Sequence, residues 1–126
     1  MTALAIFLLL TVKHALCDLF LQSYLRLNKG KYTGGWPHYA QHGIGSLVVL
    51  LLFADVQLAV ALAVADFLAH WHIDFAKHRI IQAYERRHGV DMERWNRSLY
   101  WFIQAADQIL HFVTYYVLAV IVLGAS

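Results

Sequence analysis

Val56-Gln57-Leu58-Ala59-Val60-Ala61-Leu62-Ala63-Val64-Ala65-Asp66-Phe67-Leu68-Ala69-His70-Trp71-His72-Ile73-Asp74-Phe75-Ala76-Lys77 decides how this chain folds. Its apolar run is long enough to cross a bilayer, which takes about 17–25 residues. Yet Asp66, His70 and Asp74 interrupt it at steps of four, so all three share one face of a helix. An ionisable group in hydrocarbon costs at least about 2.5–3.5 kcal/mol. A helix that carries three on one face turns that face toward other polar groups, away from lipid.

The same pattern recurs outward from this stretch. His14, Asp18 and Gln22 lie at steps of four in a first apolar segment, and Gln104, Asp107 and His111 at steps of three and four in the last. The spacing predicts an all-α chain forming one domain over residues 1–126, a four-helix transmembrane bundle with spans at about 2–27, 37–54, 56–78 and 98–124. Pro37 suits a first helical position, and a tight turn around Asp55 joins the middle two spans. Sixty per cent of the chain is hydrophobic, 14% is charged, and the net charge is +2. Mean hydropathy is +0.52. So weak a net charge argues against nucleic acid as a partner, and the lipid bilayer is the expected one. Cys17 is the single cysteine, which excludes a disulfide framework and a cysteine-rich zinc motif.

Basic residues set the orientation. Arg26, Lys29 and Lys31 separate the first two spans, and Lys77, Arg79, Arg86, Arg87, Arg94 and Arg97 the last two. In a four-span hairpin chain these loops share a side, and the positive-inside rule makes it cytoplasmic. Both termini then face out. The region from His78 to Arg97 is expected to extend helices three and four into the cytoplasm as a hairpin, with Gly89 just past a helix end and Asp91 at a helix start. No basic stretch precedes the first apolar run, so that segment is expected to stay as a span and not to be cleaved as a signal peptide.

At about 1.5 Å rise per residue, the polar groups come to matching depths although the helices alternate in direction. His14, Asp66 and His111 form a deep layer, about 17–21 Å from the basic side. Asp18, His70 and Asp107 form the layer below, with His42 nearest to it. Imidazole and carboxylate without thiolate suit zinc, iron or manganese, and two layers can hold one or two ions, as bundle helices do in di-iron proteins. His14, Asp18, His42, Asp66, His70, Asp107 and His111 are the expected metal ligands. Asp74 is placed as a catalytic base or supporting group, and Lys13 as the catalytic group that holds an anion or pairs with a site carboxylate. Gln22, Gln104 and Gln108 are expected to hold ligands in place. His38 reads as an interface residue. His72 points toward another helix or a second subunit. Gly43 and Gly45 allow close helix approach, so His72 and this glycine face are where a homodimer would form.

These clusters carry a resemblance: Lys13-His14-Ala15-Leu16-Cys17-Asp18 with Gln22, His38-Tyr39-Ala40-Gln41-His42-Gly43, Asp66 through Asp74 with Lys77, and Asp107-Gln108-Ile109-Leu110-His111. Over nearly its whole length the chain resembles small bacterial and phage inner-membrane proteins grouped as a domain of unknown function. The resemblance implies a multi-pass protein of the bacterial inner membrane and brings no activity with it. More loosely, the chain is similar to inner-membrane proteins labelled metal-dependent hydrolases.

Three functions fit these residues. The first is an intramembrane metal-dependent hydrolase open to the cytoplasmic side, acting on a lipid or small-molecule substrate. The second is a transporter or channel for a metal ion or protons. The third is a haem-binding protein using His14 and His111, or a di-iron redox protein. No nucleophilic serine motif is present, and Gly43-x-Gly45 lacks the strand context of a nucleotide fingerprint.

Overall fold

The computed structural model describes residues 2–21 and 27–125. The expectations for Gln22 and Arg26, and the end of the first span, lie outside the described residues. The described chain is helical without strands: α1 (Ala3–Leu16) continues as a π-helical turn (Cys17–Leu21), followed by α2 (Trp36–Leu50), α3 (Val56–His88), α4 (Met92–Trp95) and α5 (Arg97–Gly124). Three helical stretches are long and apolar enough to cross a membrane: Ala3–Leu21, Val56–His88 and Arg97–Gly124. α2 has 15 residues, about 22 Å of rise, and its C-terminal end runs into the turn over residues 51–54.

Local chemistry explains most of the helix ends. Pro37 sits in the first turn of α2, where a missing N–H costs nothing. The Asp55 carboxylate accepts from the N–H groups of Gln57 and Leu58 and starts α3. Gly89 ends α3 in the left-handed conformation, φ 66°, as the sequence predicts. Asp91 caps α4 through Arg94 N–H. The hairpin differs in one respect from the expected continuous helix: the chain breaks at Asn96, whose side chain accepts from Leu99 N–H and starts α5 afresh.

α1 packs against α2 and α5, and α3 packs against α2 and α5, so the four helices close a ring. At the end where α1 and α3 begin and α2 and α5 finish, the ring is filled by Ile6, Leu10, Leu50, Leu62, Leu118 and Val122. The other half is filled by polar groups: Lys13, His14, His38, His42, Ser46, Asp66, His70, Asp74, Asp107 and His111 are all buried. Outside, Leu8, Val12, Leu19, Ile44, Val48, Val60, Val64, Phe102, Ile109, Val113 and Val117 are exposed. That is the reverse of a water-soluble domain, in which charged side chains are almost never fully buried unless paired.

Candidate metal centre

The centre is built from imidazoles that four elements aim at one place. His42 and His70 lie face to face with ring centroids 3.5 Å apart, and His70 and His111 stack at 4.1 Å. His14 stands 5.0 Å from His42 and 4.9 Å from His111. His38, one turn before His42 on α2, lies 4.5 Å from it and 5.2 Å from His70. α1, α2, α3 and α5 each contribute, which is why helical periodicity revealed the parts separately.

Three carboxylates face these rings. Asp18, in the π-helical turn, lies 3.0 Å from His14 Nε2, 3.1 Å from His38 Nε2 and 3.0 Å from His42 Nε2. π turns in α-helices are frequently found at functional sites. Asp74 Oδ1 lies 3.5 Å from His111 Nε2, while its Oδ2 lies 3.8 Å from His70 Nε2 and 3.9 Å from His38 Nε2. Asp107 Oδ1 is 3.6 Å from His111 Nε2. Among the described residues, three groups bring their ligand atoms within 4.8 Å of one another: Asp18, His38, His42 and His70; His14, His70 and His111; Asp74, Asp107 and His111.

The nitrogens meet without satisfying one another. Both nitrogens of His38 and of His70, together with His111 Nε2 and Asp107 Oδ1, are buried and lack a hydrogen-bond partner. Buried polar atoms rarely stay unpaired, since each orphan costs about 1–3 kcal/mol. Ligand atoms about 2.0–2.2 Å from a tetrahedral ion lie roughly 3.3 Å apart without pointing at each other. The close but misaligned approach of His38 Nε2 to Asp18 has that character. The donor set therefore fits a divalent ion.

Supporting contacts orient the rings. The Tyr115 hydroxyl lies 2.7 Å from His14 Nδ1, and Gln108 Oε1 lies 3.3 Å from His14 Nε2. Gln108 Nε2 donates to Asp107 at 3.1 Å, the expected role for this glutamine.

Lys13 and Asp66 are brought together beside the imidazoles, with Lys13 Nζ 3.4 Å from His42 Nδ1. Lys13 Nζ donates to Asp66 Oδ2 at 2.9 Å and to the Tyr115 hydroxyl at 3.2 Å, and Ser46 Oγ donates to the same Asp66 oxygen at 2.5 Å. The pair lies on the side of the imidazoles nearer the apolar filling. Asp66 is thus not gathered with His14 and His111, and the Lys13 ammonium already has its anion. The lower carboxylates also have cations. Lys29 Nζ contacts Asp74 Oδ2 at 2.5 Å, and Lys77 Nζ lies 3.0 Å from Asp107 and 3.7 Å from Asp74.

Sequence reading passed over His38, Lys29, Lys77, Ser46 and Tyr115 as members of the site. The step of four to His42 was a signal for His38, as was the step of four from His111 for Tyr115. Nothing local distinguishes Lys29 from other loop lysines. Two further residues have partners within the chain, although His72 is exposed. His72 Nε2 meets the Tyr32 hydroxyl at 3.1 Å, and Gly43 lies against Phe67, so both are engaged within the chain.

These features define a helical protein with membrane-like helices around a His/Asp cluster able to hold metal. The chain belongs to the family described as protein of unknown function DUF3307, which it matches over residues 6–126. No curated protein and no solved structure matches it.

Proposed function

We propose that this chain is a membrane-embedded metalloprotein, and that it works as a metal-dependent hydrolase on a lipid or membrane-associated substrate. In this reading residues 1–126 form one integral domain of four spans. Both termini face outward, and the α3–α5 hairpin lies on the cytoplasmic side of a bacterial inner membrane. Apolar side chains facing out, polar side chains facing in and basic residues gathered at one end support it.

The observation that carries the metal is the set of orphaned nitrogens on His38 and His70. Asp18, His38, His42 and His70 would hold one divalent ion, zinc, iron or manganese. Asp107 and His111 would hold a second, with Asp74 turning one oxygen toward each group. A bound ion of this kind supplies a Lewis acid and an activated water at neutral pH. The residues around it orient the ligands and exclude bulk water, except beside Asp18, whose side chain is 27% exposed. Hydrolysis there would add water across an ester or phosphoester bond, releasing an alcohol and an acid.

The alternatives find less support. A transport path would have to cross the apolar end, which is packed with Ile6, Leu10, Leu50, Leu118 and Val122. His14 and His111 lie 4.9 Å apart, with His70 beside both, which leaves no slot for a haem macrocycle.

Metal content by plasma mass spectrometry on detergent-purified protein tests the reading, with His70→Ala and Asp107→Ala in parallel. We expect stoichiometric metal in the wild type and a reduced content in both variants. A folded wild type that carries no metal, and takes up none on dialysis against zinc, iron(II) or manganese(II), overturns it.

A further inference from the structure

We propose that Lys29 and Lys77 form the oxyanion-binding side of this centre, and that its substrate is a phosphate ester whose phosphoryl oxygens those two ammonium groups receive. The proposal rests on the metal reading above and deepens it.

The two lysines come from unrelated parts of the chain. Lys29 belongs to the connection before α2, and Lys77 to α3, four-fifths of a turn beyond Asp74. Both reach Asp74, Lys77 reaches Asp107 as well, and Lys29 is buried. A lysine that only anchors topology would keep its ammonium group in water, because its flexible stem lets it snorkel. Around Tyr32 the connection is held against α3. Trp71 Nε1 donates to the Tyr32 carbonyl at 2.5 Å, and the Tyr32 ring packs against Trp71 and Phe75.

Charge then selects the ligand. Lys13 and Asp66 neutralise each other. Asp18, Asp74 and Asp107 bring three negative charges, and Lys29 and Lys77 return two positive ones. With neutral imidazoles the centre carries one negative charge before metal enters. One divalent ion makes it positive by one charge, and two make it positive by three. A buried excess of that size needs an anion, since unpaired charge in a low-dielectric interior is strongly disfavoured. A phosphate ester brings one or two negative charges and several oxygens at tetrahedral angles, enough to meet the ion and both ammonium groups together. Ammonium–phosphate contacts are charge-assisted and strong. The lysines are already held where the metal's charge would release them from Asp74 and Asp107.

The test is equilibrium binding to protein loaded with the metal found in it, by titration calorimetry in detergent. One arm uses inorganic phosphate, a second uses dioctanoyl phosphatidic acid in mixed micelles, and a third uses acetate. Saturable binding in either phosphoryl arm is expected. The tighter arm shows whether the phosphate comes from the cytosol or a lipid headgroup. Lys29→Gln and Lys77→Gln should each weaken it by about tenfold or more while metal content stays at the wild-type level. Lys29→Arg and Lys77→Arg should restore most of the affinity. Equal binding of acetate, or no phosphoryl binding to metal-loaded protein, overturns the proposal and leaves the metal reading standing. Loss of metal in both glutamine variants makes the lysines structural counter-charges, and also overturns it. A wild type that binds no metal removes both.

Discussion

Asp66 and Asp74 lie on the same face of α3, two helical turns apart, and meet different chemistry. Asp66 faces one lysine and one serine hydroxyl, both at Oδ2, while its Oδ1 is buried without a partner. Asp74 faces three imidazoles as well as two lysines. Removing one member of a buried ion pair leaves the other charge uncompensated, at a cost of about 3–5 kcal/mol, whereas replacing both by apolar groups is often neutral or stabilising. Lys13→Met should therefore lower stability by about that amount, read from unfolding in mixed micelles. Lys13→Met with Asp66→Leu should recover most of it and keep wild-type metal content. A folded but metal-free double variant would show that Asp66 is a ligand after all. Counting residues placed Asp66 level with His14 and His111, because a count of rise ignores helix tilt; those two rings lie instead beside His70, one turn further along α3. Lys13 points about 100° around α1 from His14, and there it meets Asp66. His14, His70 and His111 were legible because each shares a helix face with a carboxylate four residues away.

Gly43 shows how the helices set the geometry of the centre. A Cβ at this position would lie 3.1 Å from Phe67 Cβ and 3.4 Å from the Ala63 carbonyl oxygen. α2 can approach α3 this closely only because that space is empty, and the approach stacks His42 on His70 at 3.5 Å. Gly43→Leu should push α2 away, costing about 1–3 kcal/mol through overpacking, and should lower metal content although no ligand changes. Gly43→Ala should do less. Gly124→Ala, where nothing lies within 4 Å of the added methyl, should leave metal content unaltered. Equal metal content in Gly43→Leu and wild type would mean that the spacing of α2 and α3 does not set the site. The boundaries at Pro37, Gly89 and Asp91 could be read from sequence because each depends on a local backbone preference. The π-helical turn at Cys17–Leu21 could not. Its carboxylate faces His38 and His42 on another helix, a tertiary contact that leaves no mark in the local pattern.

The arrangement of the bundle follows from solvent. In water the exposed faces of α1, α2 and α5 would carry a large apolar surface with nothing to cover it, while lysines and aspartates were buried at high cost. In lipid both effects change sign: the outer face is solvated by hydrocarbon, and the polar groups have no better place than one another. The proposed orientation keeps the hairpin on the cytoplasmic side. Arg79, Arg86, Arg87, Arg94 and Arg97 cluster where α3 leaves the apolar region and α5 enters it, and moving that many arginines through a bilayer is far harder than retaining them on the cytoplasmic side. Asp55, in the turn at the other end, should then be outside. The check uses single cysteines in a Cys17→Ala background, Asp55→Cys and Glu93→Cys, both at exposed positions, exposed in spheroplasts to a membrane-impermeant maleimide. Asp55→Cys should label in intact spheroplasts and Glu93→Cys only after lysis. The reverse pattern would invert the bundle and open the centre to the outside. Labelling of both before lysis would mean that the chain does not span the membrane in this way, and the burial of its aspartates would then need another explanation than lipid.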